Sequence, residues 1–241
     1  MGVQVVAKGV DAEQYATEYS APVRRGLEGI FFTNGSLEKA ARNYAPNKQS
    51  GSIVGAPTVN SGYISLKGGA NYIQTPILET ESVTMFIIAR QVPDPANPGA
   101  LVMFCGNYAG GPFSGVSMYV PAAGRLTGTA GYGNDDVSNS NSAVSVTPIS
   151  EMVWGLYSVT ISPTLVVTRS HTANLSGQVV QTLPRRPSTR PVRIGWGYSA
   201  AHLGWSDVAL YQHHSVGLTD DERAKTVADL RAYAARRGIM G

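Results

Sequence analysis

The last third of the chain reads Val192-Arg-Ile-Gly-Trp-Gly-Tyr198, then Leu203-Gly-Trp-Ser-Asp-Val-Ala-Leu-Tyr211, then Leu218-Thr-Asp-Asp-Glu-Arg223 and a helical tail. A strand, a glycine turn, a strand and a capped helix in that order constrain the fold more than any other segment. Thr219 and Glu222 form a capping box, in which the threonine hydroxyl takes the backbone N–H of Glu222 and the glutamate reaches back. The helix is expected to start at Asp220 and to stop at Gly238, which tolerates the left-handed end. On a 3.6-residue period Ala224, Val227, Ala228, Leu230, Ala234 and Ala235 share a face, and Lys225, Asp229 and Arg236 lie opposite. Arg231 interrupts the apolar face, so its stem must snorkel. No second long helix is expected.

Upstream, short β-rich runs recur at the spacing of a sandwich. They are 63–66, 71–74, 83–92, 101–105, 116–120, 125–130, 153–161, 165–169, 178–183, 192–196 and 205–212. Turn clusters separate them, among them Lys67-Gly-Gly-Ala70, Pro121-Ala-Ala-Gly124 and Leu175-Ser-Gly177, and the longest polar loop is expected over Gly131–Ser142. Glycine at 27 residues and proline at 14 suit a chain with many turns. With 43% hydrophobic and 15% charged residues, 241 residues bury a sizeable core in one large β domain. The prediction is an all-β, antiparallel jelly-roll β-sandwich with one C-terminal α-helix.

Residues 1–25 lack the period-two pattern and end at Arg24-Arg25-Gly26, which sets them off as an N-terminal arm; residues 26–241 form the domain. The arm is read either as an edge strand with a loose loop or as a docking segment that orders on a partner subunit. No basic region followed by a long apolar run opens the chain, so no signal peptide is expected. No segment approaches eighteen uninterrupted apolar residues, so no membrane insertion is expected. Net charge is +3, too mild to indicate nucleic acid.

Gly204-Trp-Ser-Asp-Val-Ala-Leu-Tyr211 followed by Leu218-Thr-Asp-Asp-Glu222 resembles the penultimate strand and acidic capped helix of the concanavalin A-like lectin/glucanase superfamily, particularly its laminin-G-like and pentraxin-like modules. Tyr63–Gln74 resembles their early hairpin and Val83–Arg90 their long central strand. The resemblance spans about residues 27–237. It implies a concanavalin A-like fold and a carbohydrate-binding or subunit-contact role. Modules of this kind occur in bacteriophage tail and capsid proteins. The implied setting is therefore a virion structural protein, with other virion proteins met through the N-terminal arm, a homo-oligomeric state and host-surface glycan as a further partner. A glycoside hydrolase or lyase of the same fold, or a free carbohydrate-binding module, is the alternative.

Glucanases of this fold carry carboxylates two and four residues apart on one strand. No such run exists here, so no catalytic residue is assigned; Glu151 and Asp207 are the acids that a hydrolase reading would test. Gly195-Trp-Gly-Tyr-Ser-Ala200 has the spacing of a dinucleotide fingerprint but leads into another strand, so no helix N-terminus follows to hold a pyrophosphate. Cys105 lies in an apolar run and reads as a buried, inert thiol. His213 and His214 are neighbours on a strand and point to opposite faces, which disfavours a shared metal. No cofactor is assigned. Asn134, Asp135, Asp136 and Asn139 offer hard oxygens to calcium, although the same residues are what turns use. Pro184–Arg193 concentrates four arginines in an extended, exposed loop suited to solvent or a subunit contact. Aromatic rings beside polar groups are sugar platforms, which makes Asn107, Tyr108, Tyr132, Asn134, Asp135, Tyr198 and His202 the carbohydrate-binding candidates. Trp154 and Trp205 sit in strand patterns and are expected in the core.

Overall fold

The computed structural model describes residues 16–110, 115–134 and 140–240. Among them two antiparallel sheets pack face to face, as the strand spacing predicts. One sheet runs β13 (Leu175–Val180), β12 (Leu165–Ser170), β11 (Gly155–Ser162), β6 (Val83–Val92), β15 (Trp205–His214), β4 (Tyr63–Lys67) and β3 (Thr58–Asn60), with β1 (Leu27–Phe32) also paired to β15. The other runs β10 (Ser140–Val146), β9 (Arg125–Tyr132), β8 (Ser117–Ala122), β7 (Val102–Gly106), β14 (Arg193–Ile194), β5 (Tyr72–Gln74) and β2 (Ser52–Val54).

Period-two alternation sends Ile64, Leu66, Ile87, Val159 and Val208 of the first sheet against Ile73, Phe104, Met118, Leu126 and Ile194 of the second. Phe104 and Tyr157 stack across this layer with ring centres 5.7 Å apart. A second apolar layer lies outside the first sheet. There Phe86, Ile88, Ala209 and Leu210 meet Leu230, Tyr233 and Ala234 of the helix α2 (Asp220–Arg236). A register shift between Val208 and Leu210 lets both Ala209 and Leu210 face the helix while Tyr211 returns to the inner core. One edge of β15 is thereby shared, β4 pairing with 205–208 and β1 with 210–214.

The capping box is present, and Gly238 takes φ +64° after the helix. The buried helix face differs from the periodic expectation. Thr226, Val227, Leu230, Tyr233 and Ala234 are buried, whereas Ala224, Ala228 and Ala235 are exposed. Tyr233 carries far more apolar area than an alanine and sets the contact line, packing 4.7 Å from Phe32. Asp229, expected opposite the core, is half-buried and accepts the Tyr19 hydroxyl at 2.8 Å.

Of the segment read as an arm, residues 1–15 lie outside the described residues. Residues 16–25 pack on this chain's own second layer: Ala21 and Val23 are buried, Tyr19 donates its N–H to the Tyr44 carbonyl, and Arg25 pairs with Glu222 at 2.5 Å. Two expected loops are corrected. Leu175-Ser-Gly177 opens β13, and the polar stretch read as a loop over Gly131–Ser142 contributes Gly131 and Tyr132 to β9 and Ser140 onward to β10. The seryl hydroxyls misled there, because cross-strand hydrogen bonding such as Thr127 to Ser145 at 2.7 Å satisfies them within a sheet.

Candidate functional site

β14 and β5 place one apolar residue inward each, Ile194 and Ile73, so their neighbours Arg193, Tyr72 and Gln74 project from the outer face of the seven-stranded sheet. The chain leaving β14 then lies back on that face. Gly195 has φ +86° and its Cβ would meet Leu66 at 2.4 Å; a Cβ at Gly197 would meet the Met103 sulfur at 2.5 Å. Only glycine fits at these two positions, and Trp196 and Tyr198 between and after them stay half-exposed.

Arg193 organises the cluster. Its guanidinium carbon lies 3.5 Å from the Tyr198 ring centre, 4.4 Å from Tyr72 and 4.9 Å from Trp196. It donates to Gln74 Oε1 and to the Gly197 carbonyl, both at 2.8 Å. Tyr72 and Trp196 are 5.2 Å apart. The Tyr198 hydroxyl donates to the Pro191 carbonyl at 3.0 Å, its N–H to the Tyr108 carbonyl at 2.7 Å, and Arg190 lies 5.5 Å from its ring. The result is a rigid aromatic and cationic platform with hydrogen-bonding groups at its rim. Tyr72, Gln74, Trp196, Arg193 and Arg190 were not among the residues nominated from sequence. The signal was available in the alternation Tyr-Ile-Gln and Arg-Ile, whose central isoleucines face the core.

The nominated residues divide. Tyr198 belongs to the platform, with Tyr108 half-exposed beside it. His202 is buried under the same loop, edge-on to Tyr119 at 5.0 Å, with an unpartnered Nδ1; burial lowers its pKa and keeps it neutral. Asn107 is fully buried rather than presented at a loop tip. It donates to Glu79 at 3.0 Å and to the Arg190 carbonyl at 2.9 Å, and accepts the Val116 N–H at 2.8 Å. Tyr132 is likewise no surface ring, because β9 runs on through it. Its side chain is fully buried, its hydroxyl donates to the Ser162 carbonyl at 2.6 Å, and burial raises its pKa. Asn134 is exposed; Asp135, Asp136 and Asn139 lie outside the described residues.

The arginine-rich stretch 184–193 is not a solvated loop throughout. Arg185 and Glu79 form an ion pair with both side chains fully buried, and Arg185 also donates to the Gly131 carbonyl at 2.7 Å. Glu79 further accepts the Ser188 N–H at 2.9 Å. Burial pushes the Arg185 pKa down to about 10. This network anchors the stretch that carries Arg190 and Arg193.

Trp154 and Trp205 are half-buried outside the inner core: Trp205 opens β15, and Trp154, just before β11, packs at the margin of the second layer 5.3 Å from Tyr63. Arg90 lies 4.8 Å from Trp154 and pairs with Asp207 at 2.8 Å, while Lys67 lies 5.1 Å from Trp205. A cation over an indole face gives each ring a reason to remain at the surface. Asp207 also accepts the Ser65 hydroxyl at 2.6 Å, and Glu151 accepts the Gly124 N–H at 2.9 Å. His213 is fully buried against the Tyr211 hydroxyl at 2.7 Å, and His214 donates to the Arg25 carbonyl at 2.9 Å and accepts from Gln212 at 2.8 Å. No group of three or more His, Cys, Asp or Glu suited to a metal occurs among the described residues. Cys105 is buried, and desolvation raises its pKa, as the apolar run predicts.

The architecture is that of a two-sheet antiparallel β-sandwich. No protein-family model matches the sequence, and no curated protein matches it. Solved structures do match in fold. The binding domain of botulinum neurotoxin serotype D is similar at a TM-score of 0.63 and 9% identity, over 87% of this chain and 52% of that one. The binding domain of botulinum neurotoxin DC in complex with SialylT is similar at 0.61 and 8%, over 86% and 52%. A botulinum neurotoxin type C structure, from work on cell entry dependent upon two ganglioside molecules, is similar at 0.60 and 9%, over 86% and 51%. The chain thus spans about half the length of the structures that it matches. At these identities the likeness shows the fold.

Proposed function

We propose that this chain is a non-enzymatic attachment domain that docks a cell-surface glycan on the Tyr72–Trp196–Tyr198 platform. One observation carries the reading: three half-exposed rings are held around a single guanidinium on an otherwise hydrogen-bonded sheet face. Sugar C–H faces pack on such rings, and Arg193 and Gln74 supply polar partners at the edge. Pre-organisation by Arg193 lowers the ordering cost of binding. The fold neighbours support the reading, since one is described with SialylT and another in connection with gangliosides. The virion setting belongs to the same proposal. An attachment domain on a particle needs this chemistry, and modules of the concanavalin A-like kind that the sequence resembles occur in bacteriophage tail and capsid proteins.

A glycan array tests the platform. Wild-type protein is expected to retain a defined set of glycans, and Trp196→Ala to weaken retention about tenfold, the loss of ~1.4 kcal/mol. Retention indifferent to Trp196→Ala, or no glycan retained by the wild type, would overturn the proposal.

A further inference from the structure

On the other face of the sandwich, α2 and the β12–β13 hairpin enclose a groove of about 410 Å³. Its helix wall is made by Arg223, Ala224, Val227, Ala228 and Arg231. Arg223, Val227 and Arg231 follow one another at intervals of four residues on one stripe, so the two arginines stand about 12 Å apart along the axis. Val227 and the small Ala224 and Ala228 form an apolar floor between them. Arg169 enters from β12, and Asn174 and Ser176 complete the opposite wall.

The charge in this groove is not balanced. Arg223 is paired with Asp220 at 2.6 Å, but that carboxylate is itself 89% exposed. Arg231 donates to the His171 carbonyl at 2.6 Å and has no acidic partner among the described residues. Among the described residues the half-buried Arg169 guanidinium has neither an ion pair nor a hydrogen bond, its Nη1 is buried without a partner, and the opposing charge that acts on it is the exposed Asp220 already paired with Arg223. Leaving a guanidinium desolvated and unpaired opposes folding, and an incoming anion removes that cost. The three cations are also felt by their neighbour: burial together with Arg169, Arg223 and Arg231 holds the His171 imidazole down at about 4.

We infer that this groove is a binding site for an acidic saccharide, its sulfate or carboxylate group held by Arg169 and Arg223 at one end, its sugar ring lying on Val227, Ala224 and Ala228, and Arg231 donating to the ring's hydroxyls at the other end. Guanidinium groups match the planar or tetrahedral oxygens of such groups with paired, charge-assisted hydrogen bonds. The apolar floor suits the C–H face of the ring that carries the group. The site shares no residue with the aromatic platform and does not rest on it.

The test uses the full chain and three probes: inorganic sulfate, N-acetylneuraminic acid and a sulfated heparin disaccharide. Each is titrated by calorimetry and by the His171 imidazole resonance at neutral pH, with chloride at matched ionic strength as the reference. Sulfate and at least one saccharide are expected to shift the resonance and to compete with each other. Arg169→Gln is expected to weaken both at least tenfold. Arg231→Gln, at an exposed position, is expected to weaken the saccharides at least tenfold and to leave sulfate unchanged. Saccharide binding unaltered in Arg231→Gln, a response equalled by chloride, or sulfate binding that neither saccharide displaces would each overturn the assignment.

Discussion

The guanidinium of Arg193 stacks on the ring of Tyr198 at 3.5 Å while donating to the carbonyl of Gly197, the residue before it. The side chain thus holds both the ring and the backbone that presents it. Arg193→Lys is expected to destabilise the protein by roughly 1–3 kcal/mol, because an ammonium cannot stack and bond in the same plane. Hydrogen exchange at residues 195–204 should quicken beyond the global change. Exchange that rises only in proportion to global stability would deny Arg193 this local role.

Tyr132, nominated from sequence as a sugar contact, should behave as a core residue. Tyr132→Ala is expected to cost about 3–5 kcal/mol in urea unfolding, in the range of large-to-small core substitutions. Tyr132→Phe removes the bond to Ser162 and should cost about 1 kcal/mol. Glycan retention measured well below the melting temperature should be unchanged in Tyr132→Phe.

Breaking the Glu79–Arg185 pair leaves one charge buried without its partner. Arg185→Met is expected to destabilise by about 3–5 kcal/mol. Glu79→Gln should cost a comparable amount, and the double variant less than the sum, since neither charge then remains. Additive losses in denaturant unfolding would mean that the two side chains act independently.

The helix was legible because a capping box is a local signal that tertiary contacts do not alter, and Thr219 and Glu222 form it as read. Long strands such as β6 and β15 were legible from their apolar runs. The strand β1 was not. Ile30 and Phe32 face the second layer while Phe31 faces the first, so burial on both sides erases the alternation that marks a strand. The platform was half legible. Tyr198 stood out as a loop aromatic, but its partners Tyr72 and Arg193 come from strands and are 121 positions apart in sequence, and pairing across β5 and β14 alone brings them together. Asn107 and Tyr132 misled for the opposite reason. Their polar groups looked free in sequence, and the fold supplies each with buried partners.

All four histidines of the chain have pKa values lowered by burial, His171 to about 4, His213 to about 3, and His202 and His214 in the same direction. The unfolded chain, with histidines near 6.5, therefore binds protons that the folded chain refuses. Stability from these groups is complete above about pH 6.5 and is lost as the pH falls from there toward 4 for His171 and toward 3 for His213. Between pH 6.5 and 4.5 the loss should reach about 2 kcal/mol for each of these two residues. Urea midpoints measured across that interval check it. His171→Gln, which keeps a hydrogen-bonding group beside Ser158 but no longer titrates, should flatten the dependence by its own share. A profile identical to the wild type would mean that the folded His171 accepts its proton as freely as the unfolded chain does.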